Sequence, residues 1–352
     1  MNILIVNWKD IRHPEAGGAE VYTHEICKRI VEMGHNVTLF ASKYNGAFGE
    51  EEIDGIRIVR DGGRFGVYLK VKNFYKHNNE FDIVVDEVNT RPFMTVDFIE
   101  KPKICLIHQL AREFWFYKTP FPINYIGRYL LEDKWLSKYR DIKTVTVSDS
   151  TKKDLLELGF KDVEIVYNGL SVEPLEEISE KEEEFTVLFI GRLTPTKKPF
   201  DAIKAFKLAG IGKLWIVGRG ELENILREEV SEDVKFYGYV SEEEKYDLMK
   251  RAHVVLVPGL REGWGRVVIE ANAMGTPAIG YDIPGLRDSI RDGETGILCR
   301  PTIESMAEKI RVISEDEDLR EKLSKNALKW SKNFSWDKSS ERFFEILRKA
   351  AG

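Results

Sequence analysis

Cysteine is scarce, with Cys27, Cys105 and Cys299 the only three in 352 residues. They lie far apart and form no CxxC, which speaks against a disulfide framework or a zinc site and for a reducing, cytoplasmic setting. No stretch of 18 apolar residues occurs, so no segment is expected to span a membrane. The opening MNILIVNWKD is too short an apolar run for a secretion signal and reads as a strand. A basic excess is also missing. Lys and Arg number 53 against 59 Asp and Glu, a formal charge of −6, which is a poor basis for binding nucleic acid. Two phosphate-binding signatures are absent too. The first loop offers only Gly17 and Gly18, Gly218-Arg219-Gly220 has no third glycine, and no G-x-x-x-x-G-K-[ST] occurs. Nicotinamide and P-loop chemistry are therefore disfavoured.

What the chain does have is core-forming material, 43% hydrophobic and 11% aromatic, enough for two domains. The negative charge is confined. Residues 171–184, SVEPLEEISEKEEE, carry the whole net excess. Such a stretch at the midpoint reads as a linker between domains 1–170 and 185–334, with residues 335–352 as a C-terminal helix.

Each half alternates strand and helix. Asn2–Asn7, Asn36–Ala41, Ile56–Arg60, Ile83–Asp86, Ile104–His108 and Thr144–Ser148 read as strands of the first half. Thr186–Ile190, Lys213–Val217, Val234–Tyr237, His253–Val257 and Pro277–Gly280 read as strands of the second. Helical patterns separate them, among them 20–34, 150–158, 199–209, 222–230, 242–251, 266–274 and 303–315. This alternation predicts an α/β protein with two doubly wound Rossmann-like domains. Ligands of such sheets bind beyond the strand C-termini, so two domains facing each other would share a central cleft.

Three loops stand out. Gly17-Gly18 before the first helix permits close approach of a ligand to the backbone and offers N–H groups to an anion, unless it is a plain turn. Gly191-Arg192-Leu193-Thr194-Pro195-Thr196-Lys197 follows the first strand of the second half, with two cations suited to a diphosphate, unless it is a solvated basic turn. Residues 253–296 contain Glu262 on a Gly-rich loop and Glu270 on the helix after it. Eight residues of helix span roughly 12 Å, whereas retaining glycosidase carboxylates sit about 5–5.5 Å apart. The two Glu therefore suit two ends of one long ligand, with a helix N-terminus for phosphate between them. A nucleotide sugar has that layout.

Taken in order, these motifs resemble the family 4 retaining glycosyltransferases of the GT-B fold. The match runs through Gly17-Gly18-Ala19-Glu20, Val147-Ser148, Tyr167-Asn168-Gly169, GRLTPTK, Val217-Gly218-Arg219-Gly220, the pair Glu262 and Glu270, and Ser335-Trp336 before the last helix. The resemblance implies that Arg192 and Lys197 bind the donor diphosphate. Lys198 stands where the family usually has glycine, which leaves open which lysine does so. It implies that Glu262 lies near the donor sugar and that Glu270 holds the ribose hydroxyls. Backbone N–H groups of Gly263, Trp264, Gly265 and Arg266 would face phosphate or sugar, with Gly17 and Gly18 also on the donor. His108 matches the family's strand-end histidine near the donor sugar, so Glu262, His108, Lys197 and Arg192 form the expected catalytic set. His13, beside Glu15 in the first loop, is an acceptor-side candidate. Glu20 reads first as an i,i+4 helix partner of His24 and second as an acceptor-side candidate. Metal-independent transfer without a cofactor is expected, from a nucleotide-sugar donor to a saccharide or lipid-linked acceptor.

Residues 112–143 interleave aromatic and basic side chains. This predicts peripheral contact with a membrane surface, or else a helix packed through Ile126, Tyr129 and Leu130. The other readings are another GT-B enzyme, such as a nucleotide-sugar 2-epimerase or sugar phosphorylase, a non-catalytic nucleotide-sugar binder, and a dinucleotide oxidoreductase, the last weakened by the missing fingerprint.

Overall fold

The apolar runs NILIV, IVVDE and KICLI are strands covered on both faces, as parallel sheets between helices require. In the computed structural model, which describes residues 1–228 and 230–352 without the side chain of Lys118, the chain divides into two units. Residues 1–169 with 335–352 form one, and residues 170–334 the other.

The first unit runs β1 (Asn2–Val6), α1 (Gly18–Glu32), β2 (Asn36–Ala41), β3 (Glu50–Ile53), β4 (Ile56–Arg60), α2 (Val67–His77), β5 (Ile83–Glu87) and β6 (Lys103–Ile107). Short helices α3 (Phe114–Lys118), α4 (Ile123–Ile126) and α5 (Glu132–Leu136) precede β7 (Thr144–Thr146), α6 (Asp149–Glu157) and β8 (Val163–Ile165). The sheet order is β3-β4-β2-β1-β5-β6-β7-β8. Every pairing is parallel except that of β3 with β4. Between α4 and α5 the chain winds through a π-helical turn, Gly127–Leu131.

The second unit runs β9 (Thr186–Ile190), α7 (Pro199–Ala209), β10 (Lys213–Val217), α8 (Glu223–Glu228), β11 (Val234–Gly238), α9 (Glu242–Arg251) and β12 (Val254–Val257). It continues with α10 (Arg266–Ala273), β13 (Ala278–Tyr281), α11 (Leu286–Ser289), β14 (Gly296–Cys299), α12 (Ile303–Glu315) and α13 (Glu317–Ser331). Its parallel sheet has the order β11-β10-β9-β12-β13-β14, the doubly wound 3-2-1-4-5-6 arrangement. The helix predicted over 222–230 ends at Glu228, and Glu229 lies outside the described residues.

The last helix, α14 (Trp336–Ala351), belongs to the first unit. Trp336 and Phe343 pack edge-on against Tyr22 of α1, with ring centroids 5.8 and 6.5 Å away. A Cβ on Gly169 would sit 2.3 Å from the Trp336 backbone nitrogen, so only glycine lets the chain return this closely.

The acidic stretch 171–184, expected as a linker, groups with the second unit. The Leu175 N–H donates to the Ala273 carbonyl at 2.9 Å, and Lys181 donates to Thr276 Oγ1 at 2.7 Å and the Lys250 carbonyl at 2.9 Å. Glu182 pairs with Arg251 at 2.5 Å. Its charge is thus partly spent on docking.

A buried histidine in this unit makes its stability sensitive to acid. His253 Nδ1 accepts the Thr186 backbone N–H at 3.0 Å, a bond that a proton on Nδ1 would break. Burial, together with Arg320 and Lys181, pulls its pKa down to about 4. The unfolded chain takes up this proton near pH 6.5. The stability it contributes is therefore complete above about pH 6.5 and lost as the pH falls towards 4. In thermal melts over that window, wild type should lose stability faster than His253→Gln, which keeps an acceptor but does not titrate. Parallel curves would refute the assignment.

Candidate functional site

The winding of the second unit's sheet reverses between β9 and β12, and open parallel sheets bind ligands beyond the strand C-termini at such a point. The two loops leaving there, 191–198 and 258–265, carry most of the residues singled out from the sequence. The Leu260 N–H donates to the Thr196 carbonyl at 2.9 Å and ties the loops together. Lys197 Nζ lies 2.5 Å from Glu262 Oε1. Arg192 is exposed and makes no ion pair among the described residues. One cation is thus shared with a carboxylate, and a second stands open to an incoming anion.

The geometry separates the two adjacent lysines. Lys198 adopts left-handed backbone, φ 50°, the conformation that makes glycine common at such a position. Its ammonium turns to Asp201 at 3.4 Å and lies over the Tyr281 ring at 5.2 Å. Lys197 alone of the two reaches Glu262.

Glu270, one turn into α10, is 5% exposed. It is held by Arg266 at 2.8 Å and Lys245 at 3.3 Å. The two carboxylates therefore have separate cationic partners. Trp264 is turned inward, 3% exposed and edge-on to Phe334 at 5.2 Å, so only its backbone is left for a ligand. Gly265 caps α10 at φ 86°, and a Cβ there would sit 2.8 Å from Leu286 Cδ2. Both conditions demand glycine.

In the first unit the winding reverses between β1 and β5, which places the loops 7–17 and 88–94 side by side. Glu20 is 2% exposed and accepts from the Gly17 N–H at 2.7 Å, Lys9 at 3.1 Å and Asn89 at 3.2 Å. This corrects two expectations. The Gly17 N–H is taken by Glu20 and is not open to a ligand. Glu20 does not pair with His24, which meets Asp54 at 2.8 Å; its carboxylate instead closes the start of α1 in the capping-box manner. Gly18 is the exposed first residue of α1. His13 sits edge-on between Trp8 and Tyr44, 5.3 and 5.2 Å away. Burial and neighbouring Lys9 lower its pKa, and its Nδ1 accepts the Glu15 N–H at 3.0 Å.

His108 follows β6, and its Nε2 lies 3.2 Å from Glu87 Oε1. Glu87 is wholly buried at the end of β5 and also accepts from Thr23 Oγ1 at 2.7 Å. Burial pushes the Glu87 carboxyl up, and the bonds from His108 and Thr23 pull it back. A carboxylate behind a histidine fixes the ring's tautomer and orientation. Sequence reasoning did not single out Glu87, Lys9, Asn89 or Lys245. Glu87 was within reach, because two acids ending a buried apolar strand need a partner.

The segment 112–143 does not form the packed helix considered above. Ile126, Tyr129 and Leu130 are 41%, 61% and 65% exposed, and the chain there is broken into short helices.

Two family models match the chain, Glycosyl transferases group 1 over residues 173–330 and Glycosyltransferase Family 4 over residues 16–174. An uncharacterized glycosyltransferase of Methanocaldococcus jannaschii is 32% identical, over 96% of both chains. A D-inositol 3-phosphate glycosyltransferase of Rhodococcus erythropolis is 29% identical over 48% of this chain and 42% of its own. Among solved structures, sucrose-phosphate synthase of Thermosynechococcus elongatus superposes with a TM-score of 0.82 at 18% identity, covering 99% of this chain and 98% of the other. Anabaena HepE in complex with UDP-glucose gives 0.73 at 19% identity, covering 99% of this chain and 100% of the other.

Proposed function

Since the chain belongs to the family 4 glycosyltransferases of the GT-B type, we propose that it moves a sugar from a nucleotide-diphosphate donor to an acceptor hydroxyl with retention of configuration. The observation that carries this reading is the Lys197–Glu262 contact at the reversal of the second sheet, with the unpaired Arg192 on the same loop as Lys197. In this reading Arg192 and Lys197 take the diphosphate, Glu262 the sugar and Glu270 the ribose hydroxyls. HepE, a protein of the same fold, has been crystallised with UDP-glucose, which supports a uridine donor.

The acceptor oxygen attacks the anomeric carbon from the face that the diphosphate leaves. The bond from that carbon to the phosphate oxygen breaks, and the departing oxygen takes the acceptor's proton. Negative charge grows on the leaving phosphate, where preorganised cations act most strongly. His108, held by Glu87, is assigned to the transferring sugar. The proposal includes transfer without a metal. Among the described residues no three His, Cys, Asp or Glu side chains group to hold an ion.

A thermal-shift panel of UDP-, GDP- and ADP-sugars in EDTA tests the donor. One nucleotide class should raise the melting temperature at saturation, since a ligand that binds only the folded state stabilises it by about 2.7 kcal/mol at 100 times its Kd. No shift with any of them would sink the donor assignment, and a shift that appears only when a divalent metal is restored would sink metal independence.

For the acceptor we propose a membrane-borne saccharide. Phe116, Tyr117, Phe121, Ile123, Tyr125 and Ile126 are all exposed. Phe116, Phe121 and Tyr129 each contact the Tyr125 ring, at 5.2, 6.0 and 6.1 Å, and Arg128 lies over Tyr129 at 5.1 Å. Aromatic rings interleaved with cations suit the headgroup level of a bilayer. No helix among the described residues is long and apolar enough to cross one. The chain should float with anionic vesicles, and Phe121→Ser with Tyr125→Ser should release it. Flotation equal for wild type and the double variant would refute this surface.

A further inference from the structure

One cation of the first unit, Arg91, has no counter-ion among the described residues. The loop 88–94 leaves β5 where the winding of the first sheet reverses. It is bent through two non-glycine residues in left-handed backbone, Thr90 at φ 75° and Met94 at φ 58°. A β-branched residue in that region is a genuine outlier, retained where the surroundings over-determine it and concentrated at functional sites. Arg91 lies between these two. Its guanidinium is 4.7 Å from the Tyr68 ring of α2 and 5.6 Å from the Trp135 ring of α5. Its Nε is out of reach of solvent and has no hydrogen-bond partner. Among the described residues no carboxylate lies within ion-pair range of it.

Other cations of the first unit differ. Arg60 meets Asp10, Arg112 meets Asp133 and Lys138 meets Asp97. Aromatic contacts alone do not repay the desolvation of a guanidinium nitrogen left without an acceptor. They lie against its face and leave its two terminal nitrogens, which have no hydrogen bond among the described residues, as the fork for a ligand. Such a fork matches the oxygens of a phosphate in two parallel bonds. The loop is anchored to the start of α1, because Asn89 donates to Glu20. Trp135 stands on the helix that continues directly from the exposed aromatic segment 116–130.

We propose that Arg91 binds a phosphate ester borne by the acceptor. This deepens the glycosyltransferase reading and rests on it. The same chemistry is offered by a soluble sugar phosphate and by a lipid-linked one, with the phosphate at headgroup level.

Calorimetry with glucose 6-phosphate and flotation with phosphatidylcholine vesicles containing phosphatidic acid test both sources, on the full chain. For at least one probe, wild type should bind about 10- to 100-fold tighter than Arg91→Gln, the range expected for losing hydrogen bonds to a charged group. Arg91→Lys, which keeps the charge but not the fork, should fall between them. Discrimination by glucose 6-phosphate alone assigns a soluble acceptor, and discrimination by the vesicles alone a membrane-borne one. UDP affinity and the melting temperature of the unliganded variants should match wild type. If Arg91→Gln binds both probes as wild type does, the proposal is overturned. Failure of UDP to bind wild type would instead count against the donor reading, and leave the Arg91 comparison legible.

Discussion

Replacing Lys197 with alanine is expected to lower kcat about 10²- to 10³-fold, the usual cost of removing one preorganised group that stabilises charge in the transition state. Its ammonium lies 2.5 Å from Glu262 on a loop beside the unpaired Arg192. In the proposed reaction the leaving diphosphate gains charge as the sugar departs, so the interaction strengthens in the transition state. Both kcat and kcat/KM should then fall by similar factors. Glu262→Gln should also lose activity, because the carboxylate that holds Lys197 is gone. The double variant should lose less than the product of the two single losses, since contacting residues do not act independently. Lys198→Ala, whose ammonium turns to Asp201 and Tyr281, should remain within a few-fold of wild type. The pair is partly exposed, so the melting temperature should barely move. Full turnover in Lys197→Ala, or a larger loss in Lys198→Ala, would remove the basis for this site.

The largest loss of stability is expected from Arg60→Ala. The Arg60 and Asp10 side chains are both 0% exposed and lie 2.6 Å apart, and Arg60 also reaches Glu51. Removing one partner of a buried ion pair leaves an uncompensated charge and costs about 3–5 kcal/mol. For a unit of this size roughly 2–4 °C of melting temperature follows each kcal/mol, so a fall on the order of 10 °C is expected. Asp10→Ala should be similarly damaging. Replacing Arg60 by Met and Asp10 by Leu together should recover much of the loss, because an apolar pair of similar volume carries no buried charge. A single variant that melts with wild type would show that solvent reaches the site. Asp10 lies on the loop after β1, so the same variants report on how rigidly that loop is held.

The loops of the candidate site could be placed from the sequence because buried parallel strands are continuous apolar runs and the marked loops follow them. TVLFI before GRLTPTK and VVLV before the Glu262 loop are the clearest cases. Other elements were hidden for physical reasons. β3 is EEEI, an acidic edge strand with one buried residue, where charge erases the apolar signal. α2, VYLKVKNFYKH, is rich in β-branched and aromatic residues and buries only Val67 and Val71, so its composition argues for a strand. The candidate site residues carried by the motifs were legible; their partners were not. Glu87 meets His108 from 21 positions away and Lys245 meets Glu270 from 25, and no local spacing announces such pairs. The Glu20–His24 pairing failed because an i,i+4 preference worth a few tenths of a kcal/mol gave way to a buried N-terminal cap.

The return of α14 to the first unit has a consequence for synthesis. The second unit is inserted between residues 169 and 335 of the first. When translation has passed residue 334, every strand of both sheets has been made, yet Tyr22 still lacks Trp336 and Phe343. A chain emerging from the ribosome from its N-terminus therefore completes the second unit first, although the first unit was begun earlier. Until the last helix arrives, the earlier unit waits with an open apolar face, and it is the part of the nascent chain most in need of protection from aggregation.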